Sequence, residues 1–329
     1  MVRGTGIRRR AGLGALLALA LALPAAAFDL QGHRGARGLA PENTLAAFAR
    51  ALDLGVTTLE TDLAVTKDGV LVIAHDPYLN ADLVREPDGA WLAAKGPPIR
   101  SLTRAELARY DIGRANPASA YAKGFPEQQP ADGQRFATLA EVFALGAPTA
   151  VRFNIETKIT PTSGSDVVDP DTFARLVAEA VTAAGLASRV TVQSFDWRTL
   201  VALRRIAPDI ATACLTLESA SNDTVRRAAA GGSPWHAGLR LADHGGSVPR
   251  LARAAGCSTW SPFWRNVTPA LVREAQAAGL AVVPWTVNDP KEMGMLIDVG
   301  VNGLITDYPD RLRTVLGARA IALPPPRGP

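Results

Sequence analysis

Residues 57–65 read TTLETDLAV. Successive side chains of an extended strand point to opposite faces. Leu59, Thr61 and Leu63 therefore share one face, and Glu60 and Asp62 share the other. Two carboxylates one strand repeat apart repel each other and lose hydration if they are buried, so something cationic has to neutralise them. The plainer reading pairs one carboxylate with a lysine and leaves the other in solvent. Residues 151–158, VRFNIETK, repeat the pattern. There Asn154, Glu156 and Lys158 take one face, while Phe153, Ile155 and Thr157 take the other.

Further strand candidates are DLQGH (29–33), RVTVQSF (189–195), IATACLT (210–216), CSTWSPF (257–263), LAVVPWTV (280–287) and GLITDY (303–308). Helix-period runs such as TLAAFARALDLG, DTFARLVAEAVTAAG, TLVALRRIAP, TPALVREAQAAG and KEMGMLIDVG lie between them, many closed by glycine. Strands alternating with helices mean βα units and a parallel sheet. Eight such units suit the α/β class and a closed TIM (β/α)8 barrel.

Two connections break the rhythm. After the second strand, TKDG marks a hairpin turn and VLVIAHD its return strand; residues 77–136 then run rich in proline, with LTRAELARY as one short helix. A connection that long reads as an inserted subdomain or a lid. The other is 217–256, which carries GGSPWHAGLRLADHGGSV. The chain ends in ALPPPRGP, so residues 317–329 read as a disordered tail.

The N-terminus stands apart. Arg3, Arg8, Arg9 and Arg10 precede the apolar run AGLGALLALALAL, which Pro24 and three alanines close. This is the pattern of a signal peptide over 1–27, implying export to the periplasm or beyond. The run is short for an uncleaved anchor, and the arginine pair leaves both general and twin-arginine export open. The barrel domain then spans 28–316. Removing the leader's four arginines leaves 31 basic against 31 acidic residues, so no basic face for nucleic acid is implied. Composition is ordinary for a globular protein, with 47% hydrophobic and 20% charged residues. Cys214 and Cys257 both fall in strand-like segments and read as small buried hydrophobes rather than a bridge, although an oxidising compartment would allow one.

In a (β/α)8 barrel, functional residues gather at the C-terminal ends of the strands. That would join Glu60, Asp62 and Glu156, an all-oxygen set suited to Mg²⁺ or Ca²⁺ rather than zinc. Lys158 beside a cation makes sense if an anion binds between them. Residues 32–44 read GHRGARGLAPENT. Alone this could be a surface turn before a helix, but His33 ends strand one and His75 ends the hairpin strand at the same rim. Two histidines near a carboxylate cluster suggest an acid–base pair. Arg34 offers a planar fork for phosphate. The glycines are expected to give the backbone room beside a ligand. Metal, arginine, lysine and two histidines together describe phosphodiester cleavage. His236 and His244 lie in the second long loop and read as structural or surface residues. Trp285, at the end of strand seven, either floors the pocket or packs. The aromatic cluster WSPFW (260–264) reads as packing.

HRGARGLAPENT, LETDLAVTKDGVLVIAHDP, FNIETK, VTVQSFD, VPWTVND and GLITDYP, in this order, resemble the glycerophosphodiester phosphodiesterases. The resemblance covers about 30 to 313. It implies a TIM barrel of the phospholipase C-like phosphodiesterase kind, a divalent cation, and an insertion after the second strand, here about 77–136. It further implies hydrolysis of glycerophosphodiesters to sn-glycerol 3-phosphate and an alcohol. By motif position, Glu60, Asp62 and Glu156 would hold the metal, His33 would accept a proton, and His75 would give one to the leaving alcohol. Arg34 and Lys158 would bind phosphate, with Trp285 beside the glycerol. Glu42 would partner Arg34, and Asn43 or Thr44 would cap the first helix. The extra length between strands five and six leaves the leaving alcohol open. A lysophospholipase D-like enzyme on the same barrel and a binding protein without chemistry are the competing readings. The expected partner is a small phosphodiester, with neither nucleic acid nor stable membrane insertion.

Overall fold

The computed structural model describes residues 28–229 and 231–326, together with 1, 2 and 4. The segment read as a signal peptide thus lies almost wholly outside the described residues. Among the described residues nine strands form: β1 Asp29–Gly32, β2 Thr58–Val65, β3 Leu71–Ile73, β4 Arg152–Thr157, β5 Val190–Ser194, β6 Ala211–Thr216, β7 Thr259–Pro262, β8 Ala281–Val282 and β9 Gly303–Thr306. Eight pair in parallel in the order β8-β7-β6-β5-β4-β2-β1-β9, and β3 folds back antiparallel on β2.

The ring is nearly closed. β8 and β9 share no continuous ladder, because Pro284 interrupts β8 and has no N–H to give. Three backbone hydrogen bonds bridge the gap: Asn302 N–H to Val282 O at 2.8 Å, Ile305 N–H to Pro284 O at 3.0 Å, and Val287 N–H to Ile305 O at 3.0 Å. This is why the eight-residue run expected at 280–287 shrinks to two strand residues.

Alternation on β2 and β4 works as the sequence demands. Leu59, Leu63, Phe153 and Ile155 join the apolar core between sheet and helices, each at most 1% exposed. The polar faces turn into the barrel. Helices follow the strands and start on side-chain caps: Thr44 accepts from Ala47 N–H, and Asp169, Asp196, Ser247, Thr268 and Asp289 do likewise for theirs. Thr44 is thus the first cap, and Asn43 does other work.

The insertion packs on the β2–β3 hairpin through a second apolar cluster, in which Leu79, Val84, Ile99, Leu107, Ile112 and Phe136 join Ala64 of β2 and Val72 of β3. Besides the short helix Arg104–Leu107 it holds Ala120–Gly124, which the sequence reading passed over. The second long connection contains a regular barrel helix, Val248–Ala255, capped by Ser247 and stopped by Gly256 at φ +89°. Its His236 is buried and stacked on Trp197 at 4.4 Å between ring centres, and His244 closes a 3₁₀ turn. Cys214 and Cys257 form a disulfide with Cα atoms 5.9 Å apart, which corrects the expectation of unbridged thiols. β6 and β7 are paired neighbours with Cys214 opposite Trp260, and Cys257 lies three residues ahead of that pair, where its Cα comes within bridging reach of Cys214. The expected tail packs in part: Ile321 and Leu323 lie against the core, and the Pro324 carbonyl accepts from Arg313. No helix among the described residues is long and apolar enough to cross a membrane.

Candidate active site

β1 stops at Gly32 and the chain turns at once. Arg34 has φ +50° and Asn43 φ +57°, left-handed values uncommon outside glycine. Surrounding bonds hold both. The Arg34 N–H donates to Glu60 Oε2 at 2.8 Å, and the Asn43 N–H donates to the Arg34 carbonyl at 3.1 Å. The Asn43 amide donates to Asp62 Oδ2 at 2.9 Å and accepts from the Thr61 hydroxyl at 3.1 Å. Strain of this kind clusters at functional sites. Gly32 and Gly35 are required by the fold itself. A Cβ on Gly32 would lie 2.2 Å from the Gly35 carbonyl oxygen, and one on Gly35 would lie 2.6 Å from the Ala47 backbone.

Parallel pairing sets Asp62 opposite Glu156 and Glu60 opposite Asn154. One oxygen each from Glu60, Asp62 and Glu156 lie within 4.8 Å of one another, and all three residues are buried. Burial, then the Asp62 charge, pushes Glu60 well above the usual carboxylate range. Burial likewise raises Glu156, against the pull of Lys158. On Asp62, burial is outweighed by Arg34 and Lys158, which hold the carboxyl low. Asp62 Oδ1 is buried without a hydrogen-bond partner. Mutually repelling buried carboxylates, one with an orphaned oxygen, fit a hard divalent cation.

The sequence-predicted histidines and cations reach the same place. His33, Arg34, Glu60, His75, Glu156, Lys158 and Trp285 all line one cavity of about 240 Å³. Lys158 Nζ lies 2.8 Å from Glu156 Oε1 and 3.8 Å from Asp62 Oδ1. Arg34 gives Nη1–H to Glu42 Oε1 at 2.7 Å, the partnership expected of Glu42, and its Nε lies 3.2 Å from Asp62. Trp285 both lines the cavity and packs: its indole N–H donates to the Ser261 carbonyl, and its ring meets Phe195 edge-on at 5.3 Å. Of the WSPFW cluster, Trp260 is core, while Phe263 packs on Trp285.

Each histidine carries a carboxylate on Nδ1. Asp307 Oδ1 lies 2.6 Å from His33 Nδ1, and Asp76 Oδ1 lies 3.0 Å from His75 Nδ1. Asp307 also accepts two bonds from Arg37 and one from Asn288 at 2.6 Å. Burial of Asp307 is outweighed by Arg37 and His33, which keep it ionised. An ionised Asp307 can only accept, so His33 carries its proton on Nδ1 and offers the Nε2 lone pair. Burial, then the Arg37 charge, lowers His33 to a pKa of about 4, so the ring is neutral at pH 7. His75 is the more open of the two, with a third of its side chain exposed.

Sequence reasoning missed Arg37, Asp307, Asn288, Gln193 and Tyr121. Asp307 and Asn288 stood in quoted stretches, GLITDYP and VPWTVND, and acidic or amide residues at strand ends were signal enough. Tyr121 gave none, since it reaches in from the insertion to donate its hydroxyl to Glu42 Oε2 at 2.5 Å. The same short helix is followed by Phe125, over which Arg37 lies at 4.7 Å.

The family model described as the glycerophosphoryl diester phosphodiesterase family matches residues 33–311. The chain is 30% identical over 280 residues to a glycerophosphodiester phosphodiesterase of Caldanaerobacter subterraneus subsp. tengcongensis, covering 85% of this chain and 94% of that one. A solved structure from Silicibacter pomeroyi DSS-3, named provisionally as a glycerophosphoryl diester phosphodiesterase, superposes with a TM-score of 0.80 at 32% identity, over 90% of this chain and 95% of that one. A phosphodiesterase of Oleispira antarctica, solved with the product sn-glycerol 3-phosphate, shares the fold with a TM-score of 0.64 at 22% identity, over 88% of this chain and 97% of that one.

Proposed function

This chain belongs to the glycerophosphoryl diester phosphodiesterase family and is a phosphodiesterase of that class; from that premise we propose that it hydrolyses glycerophosphodiesters to sn-glycerol 3-phosphate and an alcohol, using two histidines and a divalent cation. One observation carries the reading: Glu60, Glu156, Arg34, Lys158 and both histidines line a single cavity, and Asp62 lies buried within 4.8 Å of the two glutamates.

His33 is the base. With Nδ1–H held by Asp307, its Nε2 takes the proton of the nucleophile, either water or the substrate's own glycerol hydroxyl. His75, its Nδ1 held by Asp76, is the acid and gives a proton to the departing alkoxide oxygen. With water as nucleophile this gives sn-glycerol 3-phosphate directly, and solvent restores both rings; with the hydroxyl it gives a cyclic phosphate, which water then opens as His75 takes the water's proton and His33 returns its own to the ring oxygen. Arg34 and Lys158 bind the phosphoryl oxygens, and Glu42 keeps the Arg34 fork in place. Trp285 packs against the glycerol part. Glu60, Asp62 and Glu156 hold Ca²⁺ or Mg²⁺, oxygen-seeking ions that the trio suits. That ion, when bound, neutralises charge on the phosphoryl oxygens.

Export is part of the proposal. The basic and apolar leader supports it, and so does the Cys214–Cys257 bridge, a feature of oxidising compartments.

The test uses protein beginning at Phe28 and glycerophosphocholine, with Ca²⁺, Mg²⁺ or EDTA, following release of sn-glycerol 3-phosphate. Release that needs the cation is the expected result. No release from any glycerophosphodiester overturns the function, and release untouched by EDTA overturns the metal assignment alone. Faster turnover of a lysophospholipid would move the substrate to the membrane lipids.

A further inference from the structure

A chain of amides runs through the barrel below the acidic trio. Gln193 on β5 donates Nε2–H to Glu60 Oε1 at 2.8 Å. Its own oxygen accepts from Asn154 Nδ2 on β4 at 2.9 Å. The same Asn154 nitrogen donates to Gln31 Oε1 on β1 at 2.8 Å, and Gln31 Nε2 donates to Asp29 Oδ2 at 2.8 Å. Gln31, Asn154, Gln193 and Glu60 are each at most 5% exposed.

The direction of every amide follows from its ends. In the ionised state that would bind a cation, Glu60 only accepts, so it draws the Gln193 nitrogen toward itself and turns the Gln193 oxygen back toward Asn154. Asp29 does the same to Gln31 from the other side. Asn154 must then give one N–H each way, and its Oδ1 is left buried without a partner. A flipped Asn154 would face two amide oxygens with a third. An orphaned buried oxygen is unfavourable, so the arrangement gives up local satisfaction to keep both neighbouring amides oriented. Glu60 is pinned twice, with Oε1 on Gln193 and Oε2 on the Arg34 N–H.

We propose that Gln193 and, through it, Asn154 are positioning residues for the cation-binding Glu60: a directional relay that fixes which oxygens that carboxylate presents. This rests on the metal assignment above. Partners that orient a metal ligand typically govern metal affinity as well as geometry.

The metal-free protein is titrated with Ca²⁺ or Mg²⁺ by calorimetry, beside Gln193→Leu, Asn154→Leu and the double variant, each checked by circular dichroism and melting. Gln193→Leu should weaken binding about 10–100-fold, and Asn154→Leu by a smaller factor, although its side chain hydrogen-bonds no proposed ligand. The double variant should bind no worse than Gln193→Leu alone, because Asn154 acts only through Gln193. Unchanged affinity in Gln193→Leu, or losses that multiply independently, would overturn the relay. A native protein that binds neither cation fails at the metal assignment instead. Gln193→Met replaces the leucine variant if the latter does not fold, and is read the same way.

Discussion

His33 Nδ1 and Asp307 Oδ1 meet at 2.6 Å across 274 residues of sequence. One residue follows the first barrel strand and the other follows the last. β1 and β9 are hydrogen-bonded neighbours, so the contact is a direct product of barrel closure. Asp307 is saturated by His33, Arg37 and Asn288, which fixes the imidazole in one orientation.

Asp307→Asn tests that orientation. An asparagine can present N–H to Nδ1 and stabilise the tautomer that blocks Nε2. We expect kcat to fall roughly 10³-fold with KM little changed. Steady-state kinetics and a melting curve check this together, since a lost fold would move both. Near-native turnover in a folded variant would remove Asp307 from the mechanism.

The acid role proposed for His75 is separable by leaving group. His75→Ala should lose about 10²–10⁴-fold on glycerophosphocholine, whose alkoxide needs a proton to depart. On a p-nitrophenyl ester, whose phenolate leaves unaided, the loss should shrink to about tenfold or less. Equal losses on both esters would assign His75 to binding rather than to proton donation.

Acid should destabilise the fold through its histidines. Burial lowers both His33 and His236 to a pKa of about 4, while the unfolded chain binds the proton near 6.5. Between these values the unfolded state takes up protons that the native state refuses. Stability is therefore fully present above about pH 6.5 and falls as pH drops toward 4, by up to roughly 3 kcal/mol for each group. His236 faces Asp223, whose charge only softens the effect. His236→Phe keeps a ring on Trp197 and removes the proton site, so urea midpoints should vary less steeply over this window. An unchanged slope would clear His236 of the effect.

Reduction of Cys214–Cys257 should cost stability. The bridge spans 43 residues of sequence, and releasing such a loop in the unfolded chain removes about 2–4 kcal/mol. Cys214→Ser with Cys257→Ser should melt lower, and dithiothreitol should lower the melting temperature of the native protein but not of the double variant. Equal melting with and without reductant would mean that the bridge adds nothing.

Much of this was legible because β2 and β4 obey a period of two. Leu59 and Phe153 had to face the helices, so Glu60, Asp62, Glu156 and Lys158 had to face inward, and parallel pairing brought them together. The disulfide was not legible: a barrel makes the two strands neighbours, but periodicity does not say that the chain at Cys257, ahead of β7, comes within 5.9 Å of Cys214. Tyr121 was hidden because it acts from an irregular insertion whose docking no periodicity announces. Asp307 and Asn288 could be seen as residues but not as partners, because only closure sets them beside His33. The helix Val248–Ala255 was missed inside a glycine-rich stretch, although Ser247 and Gly256 bounded it in the ordinary way.

The seam between first and last strands also has a consequence in time. As the chain leaves a ribosome, His33 emerges early and Asp307 near the end. Until β9 docks on β1, Arg34 and the acidic strand can exist while the imidazole swings unheld. On the roles proposed above, turnover starts only with the last element to arrive. A chain that has not yet docked β9 is then a silent enzyme, and activity reports that the whole ring has assembled.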